Sequence, residues 1–129
     1  MHKQFIAAAG ITGAIAVALG AFAAHGLKKI VQAETLQIFE TAVRYQFYHV
    51  FALLAAGILY QYFPGKLTVW AGILFIAGIV LFSGSLYLLC WFKHAALKHL
   101  YWMGAITPVG GLCFIAGWLL LTAAVVAKT

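Results

Sequence analysis

Between positions 34 and 49 the chain gathers most of the side chains with which it could do chemistry: Glu40, Arg44, Tyr45, Tyr48 and His49, accompanied by Gln37 and Thr41. Their spacing of three and four residues puts them along one side of a helix, while Leu36, Phe39, Val43, Phe47 and Val50 take the other. Arginine beside histidine could hold a lipid headgroup, a small amphiphile or a partner helix. Alternatively, His49 could serve as a base while Arg44 steadies negative charge. A second histidine, His25, raises bis-histidine haem ligation as a further option, although no c-type attachment motif accompanies it. Ser83, Ser85 and Thr107 are the remaining hydroxyls placed to meet this set. The chain has two carboxylates in all, and it carries no nucleophile elbow, no paired acids and no metal-type cysteine or histidine spacing. No catalytic residue, metal or cofactor is therefore assigned.

The elements that must carry these groups are membrane helices. Of 129 residues, 66% are hydrophobic and 8% charged, and the mean hydropathy is +1.05. That leaves too little polar surface to wrap a globule in water. Four apolar stretches, 5–24, 45–63, 67–92 and 100–127, each approach the roughly 20 residues a helix needs to cross hydrocarbon. The expected architecture is all-α: one transmembrane domain over 1–129, an integral membrane four-helix bundle. Residues 34–49 form an amphipathic N-terminal extension on its second helix.

Lys3, the apolar run after it and Ala21-Phe22-Ala23 imitate a secretory signal peptide. The spacing of Ala9, Gly13, Ala16 and Gly20 instead suits a retained helix packed closely on a neighbour. Ala52, Ala55 and Ala56 continue the polar side of helix two with small side chains, so that side is expected to face inward. Counting about 1.5 Å of rise per residue from Arg44 at the interface, His49, Ser83, Ser85 and Thr107 fall at one depth in the long-loop half of the bilayer, with His25 ending helix one on that side. Thr107-Pro108-Val109-Gly110-Gly111 predicts a kink in helix four that could widen a cavity.

Net charge is +6, carried at helix ends, which fits anionic lipid and argues against nucleic acid as a partner. Lys3, Lys66 and Lys128 lie on one side, and Lys28, Lys29, Arg44, Lys93 and Lys98 on the other. The larger group favours long loops in the cytoplasm and both termini outside. Tyr60, Tyr62, Phe63 and Trp70 mark one membrane boundary, and Trp91, Phe92, Tyr101 and Trp102 the other. His94 and His99 belong to the basic loop beside that second boundary. Pro64-Gly65 marks a tight turn, and Cys90 and Cys113 read as small buried hydrophobes.

The runs Gly20-Ala21-Phe22-Ala23-Ala24-His25-Gly26-Leu27, Thr41 to His49 (Thr-Ala-Val-Arg-Tyr-Gln-Phe-Tyr-His), Leu81-Phe82-Ser83-Gly84-Ser85-Leu86-Tyr87 and Ile106 to Gly111 resemble the YwdK/YgdD family of small membrane proteins across nearly the whole chain. One departure is Ala23, where a glycine is commoner. The resemblance implies four helices and a bacterial cell (inner) membrane location, with a small eukaryotic relative, and it implies no reaction, ligand or catalytic residue. From the residues themselves, the preferred function is non-enzymatic: a lipid- or amphiphile-binding or scaffold protein. Its candidate binding residues are His25, Glu40, Arg44, Tyr45, Tyr48, His49, Ser83, Ser85 and Thr107, and its expected partners are membrane lipid and either a second copy or another membrane protein. A membrane-embedded enzyme and a small transporter using the His49/Arg44 cluster are the alternatives.

Overall fold

A computed structural model describes residues 1–127; Lys128, counted above toward orientation, lies outside the described residues. Within them, five α-helices make four membrane-crossing rods: α1 (Lys3–Ala24), α2 (Ala33–Leu59), α3 (Lys66–Gly78) continued by α4 (Gly84–His94), and α5 (Thr107–Ala127). All four rods are long and apolar enough to cross a membrane. The protein is thus an all-helical integral membrane bundle.

A π turn at Ile79–Ser83 joins α3 to α4 without breaking the rod. Such a turn holds one residue more than an α turn, so it rotates the faces of α4 relative to those of α3. Short 3-10 segments, Leu27–Lys29 and Lys98–Ala105, lead into α2 and α5. Pro108 sits in the first turn of α5, where its missing N–H would have no partner within the helix anyway. The expected kink is therefore absent. Proline instead marks the change from 3-10 to α geometry, and two residues on, Gly110 lies in close contact with the backbone of the π turn, because a Cβ there would run into the backbone nitrogen of Phe82.

The rods are arranged in chain order. α1 packs on α2, α2 on the α3–α4 rod, and α5 on α3. Gly13 faces Val50 and Gly20 faces Val43, so the expected small-residue face of α1 lies on α2, with the two helices antiparallel. Ala52 and Ala56 are buried on α2. The core follows from these contacts: Leu53, Ala71 and Phe75 are wholly buried, with Phe5, Val50, Ile79 and Phe114 around them. At the turn between α2 and α3, Gly65 adopts φ 144°, a conformation glycine reaches without steric cost. Trp70, Trp91 and Trp102 are exposed at the two levels expected for interfacial belts.

Candidate functional site

The inward face of α2 is made of Thr35, Phe39, Ala42, Val43, Gln46, His49, Val50 and Leu53. The stripe expected to face inward does the opposite: Gln37, Glu40, Arg44, Tyr45 and Tyr48 are exposed or half-buried, and His49 is its one fully buried member. The reason is physical. Inside a membrane the small and shape-complementary side chains decide which side of a helix meets its neighbours, and here Ala42, Val43 and Val50 fit α1 and the α3–α4 rod better than Arg44 or Tyr48 could.

His49 is built into an aromatic setting. Its ring stacks on Phe114 with centroids 3.4 Å apart and planes 7° from parallel, and Phe75 and Trp118 flank it. Nδ1 lies 2.7 Å from the carbonyl oxygen of Tyr45. The indole Nε1 of Trp118 donates to Nε2 at 3.1 Å. A carbonyl can only accept and an indole N–H can only donate, so the ring is held as the neutral Nδ1–H tautomer. Both nitrogens are thereby engaged. Arg44 lies off the inner face of α2 and is exposed, so it does not share a site with His49.

A second polar group lies one turn earlier on α2, and it is absent from the candidates drawn from periodicity. The hydroxyl of Tyr87 donates to Oε1 of Gln46 at 2.6 Å, and Nε2 of Gln46 donates to the carbonyl of Thr12 at 2.8 Å. One amide thus ties α1, α2 and α4 together. Gln46 was missed because it stands on the same side as Phe39, Val43 and Val50, a side read as apolar.

The serines work as shorter fastenings. Ser83, fully buried in the π turn, donates to the carbonyl of Ala42 at 2.7 Å. Ser85 lies 2.9 Å from the carbonyl of Phe82 and 2.6 Å from the hydroxyl of Thr107. One hydroxyl carries one hydrogen, so Ser85 gives its proton to Phe82 and receives that of Thr107. No buried side-chain nitrogen or oxygen lacks a partner among the described residues.

These groups do not share one depth. His49 is seven positions from Ala42, which Ser83 reaches, a separation of about 10 Å along the axis. The depth count misjudged this because it set Arg44 at the interface, whereas α2 begins at Ala33 and carries Arg44 well inside. His25, at the end of α1, is exposed. Since Gly13 meets Val50 and Gly20 meets Val43, His25 is level with Ile38, about 16 Å from His49. The two histidines cannot bracket one haem iron.

An open, apolar hollow of about 460 Å³ lies beside His49, lined by Tyr45, Tyr48, Phe82, Phe114 and Trp118, another lies at the Pro64-Gly65 turn, and two more lie at the long-loop boundary. Of these two, one of about 370 Å³ is lined by Gln32, Glu34, Thr35, Lys93, His94 and Tyr101. A narrower one of about 230 Å³ is lined by Phe22, Leu27, Phe39, Tyr87, Cys90 and Trp91. They share Ile30, Val31 and His94 as a common wall. The first is polar, with the Lys93 ammonium 5.5 Å above the Tyr101 ring, and the second is apolar and opens between α1 and α4 beside exposed Trp91.

Residues 19–111 match the family described as a protein of unknown function (DUF423). The chain belongs to the DUF423 family. Among curated relatives, the UPF0382 membrane protein YwdK of Bacillus subtilis (strain 168) is 46% identical over 88 residues, covering 67% of this chain and 72% of the relative. The UPF0382 membrane protein SSP2132 of Staphylococcus saprophyticus is 44% identical over 90 residues, covering 67% and 72%. The UPF0382 inner membrane protein YgdD of Escherichia coli (strain K12) is 40% identical over 92 residues, covering 71% and 66%. No solved structure matches the chain. The matched DUF423 segment takes in the outward stripe of α2, Gln46, His49 and the residues lining both long-loop hollows, and it leaves out most of α1 and α5.

Proposed function

We propose that this membrane protein binds an amphiphile and is not a catalyst, with its site at the long-loop boundary and its buried polar groups acting as links between helices. The observation that carries this reading is the wall shared by the two hollows, Ile30, Val31 and His94. A polar chamber beside an apolar one is matched by a molecule with a headgroup and a chain. Lys93 and His94 favour an anionic headgroup, and Phe22, Phe39 and Trp91 suit the first part of an acyl or isoprenoid tail. The hollow beside His49 is lined almost wholly by apolar groups, which suits a chain but not a headgroup. Both nitrogens of His49 are engaged within the bundle and Arg44 lies on the other face, which favours binding over chemistry at this pair.

In this reading the long loops lie in the cytoplasm and both termini outside, because Lys28, Lys29, Lys93 and Lys98 outnumber Lys3 and Lys66. The chamber then faces the leaflet richer in anionic lipid. A reporter fused after Thr129 should read as non-cytoplasmic; a cytoplasmic signal reverses the orientation.

Native mass spectrometry of the full chain in mild detergent tests the site. The purified protein is expected to retain an anionic amphiphile, Lys93→Glu to reduce retention about tenfold, equivalent to about 1.4 kcal/mol, and Val31→Trp, which adds bulk at the wall lining both hollows, to abolish it. A lipid-free protein, or both variants with an unchanged lipid complement, would overturn the reading.

A further inference from the structure

We propose that the outward stripe of α2 is the surface through which two copies of this chain pair in the membrane. Depth is the first ground for this. Gly20 faces Val43, so His25, the C-cap of α1, is level with Ile38, and Arg44 is six positions further along α2. Its Cα therefore lies about 9 Å membrane-inward of His25. Glu40 and Arg44 are exposed at this face, with Tyr48 at 52% and Phe51 at 63% continuing it toward the bilayer centre. Among the described residues neither Glu40 nor Arg44 has an ion-pair partner, and the Tyr48 hydroxyl makes no hydrogen bond. Facing acyl chains is costly for a charge, roughly 2.5–3.5 kcal/mol at the bilayer centre and less toward the interface. A partner on this face relieves that cost.

The charge pattern selects a second copy. Both copies insert in the same orientation, so a two-fold axis along the membrane normal sets the stripe against itself, and each pairing occurs twice. Glu40 and Arg44 are one turn apart, about 6 Å of rise, a gap that a long arginine side chain spans by leaning. Arg44 of each copy then meets Glu40 of the other, giving two ion pairs where the single chain has none. The chain has no other acid near this level, since its second carboxylate is Glu34, at the start of α2. One turn deeper, the Tyr48 hydroxyls of the two copies can bond each other, and Ala55 on the same face allows the helices to approach. The surface shares no residue with the amphiphile hollows, so it stands or falls separately from them.

Disulfide cross-linking of the full chain in native membranes tests the pairing. In a background with Cys90→Ala and Cys113→Ala, Tyr48→Cys is expected to give a band of twice the chain mass. Ile11→Cys and Leu119→Cys, exposed on the outer faces of α1 and α5, should not. Arg44→Glu or Glu40→Arg alone should lower the cross-linked fraction about tenfold, and the exchange of both, Glu40→Arg with Arg44→Glu, should restore it. Restoration also shows that the single variants did not merely fail to fold. The proposal is overturned by equal cross-linking at all three positions, by a band of another mass showing a different protein on the stripe, by a chain that stays monomeric, or by a double exchange that fails to recover the band.

Discussion

At the scale of single residues, the bonding around His49 makes a definite statement about where its proton sits. Nitrogen NMR on histidine-labelled protein should report Nδ1 protonated and Nε2 bare, and an Nε2–H ring would contradict the Tyr45 and Trp118 contacts. Gln46 supplies the harder test of the interior links. Gln46→Leu keeps the volume but strands the Tyr87 hydroxyl, which is expected to lower stability to denaturant in detergent by about 1–2 kcal/mol. Gln37→Leu, on the outward side of the same helix, should change the unfolding of the isolated chain by much less. The contrast also shows what periodicity can and cannot convey. It located the polar stripe of α2 correctly, yet it carries no sign: a stripe on a membrane helix can face neighbours or face out, and only the fit of Val43 to Gly20 and Val50 to Gly13 decides. Gln46 was hidden for the complementary reason, since one amide in an apolar row reads as noise until Thr12 and Tyr87 are seen to converge on it.

At the scale of elements, hydropathy located all four rods, because length and apolar content are what a bilayer demands. It could not show the π turn, which rests on backbone bonding rather than composition, nor that Pro108 begins a helix instead of bending one. Close packing gives two predictions here. Gly110→Ala should markedly lower the melting temperature, because its Cβ would meet the backbone of Phe82, whereas Gly84→Ala, with nothing near its Cβ, should be neutral or mildly stabilising. At the end of α4, Ala96 adopts φ 56°, with Leu97 N–H closing on the carbonyl of Phe92 at 2.9 Å. This is a helix stop that glycine fills without strain. Ala96→Gly should therefore raise stability by up to about 1 kcal/mol, and a loss on thermal unfolding would show that the αL geometry is not populated.

At the scale of the whole molecule, the outward faces of the rods should meet lipid and the buried core should not. A photoactivated probe dissolved in the bilayer is expected to label Ile11 and Leu119, both exposed, and to spare Leu53 and Phe75, both wholly buried; labelling of Phe75 would show that the α3–α5 contact opens. The chain-order arrangement of the rods has a further consequence. Each helix finds its main neighbour in the segment made just before it, with Phe5 reaching Gly72 as an exception. A nascent chain leaving the ribosome could then settle largely hairpin by hairpin, with His49 of α2 completing its contacts to Phe114 and Trp118 only when α5, made last, arrives.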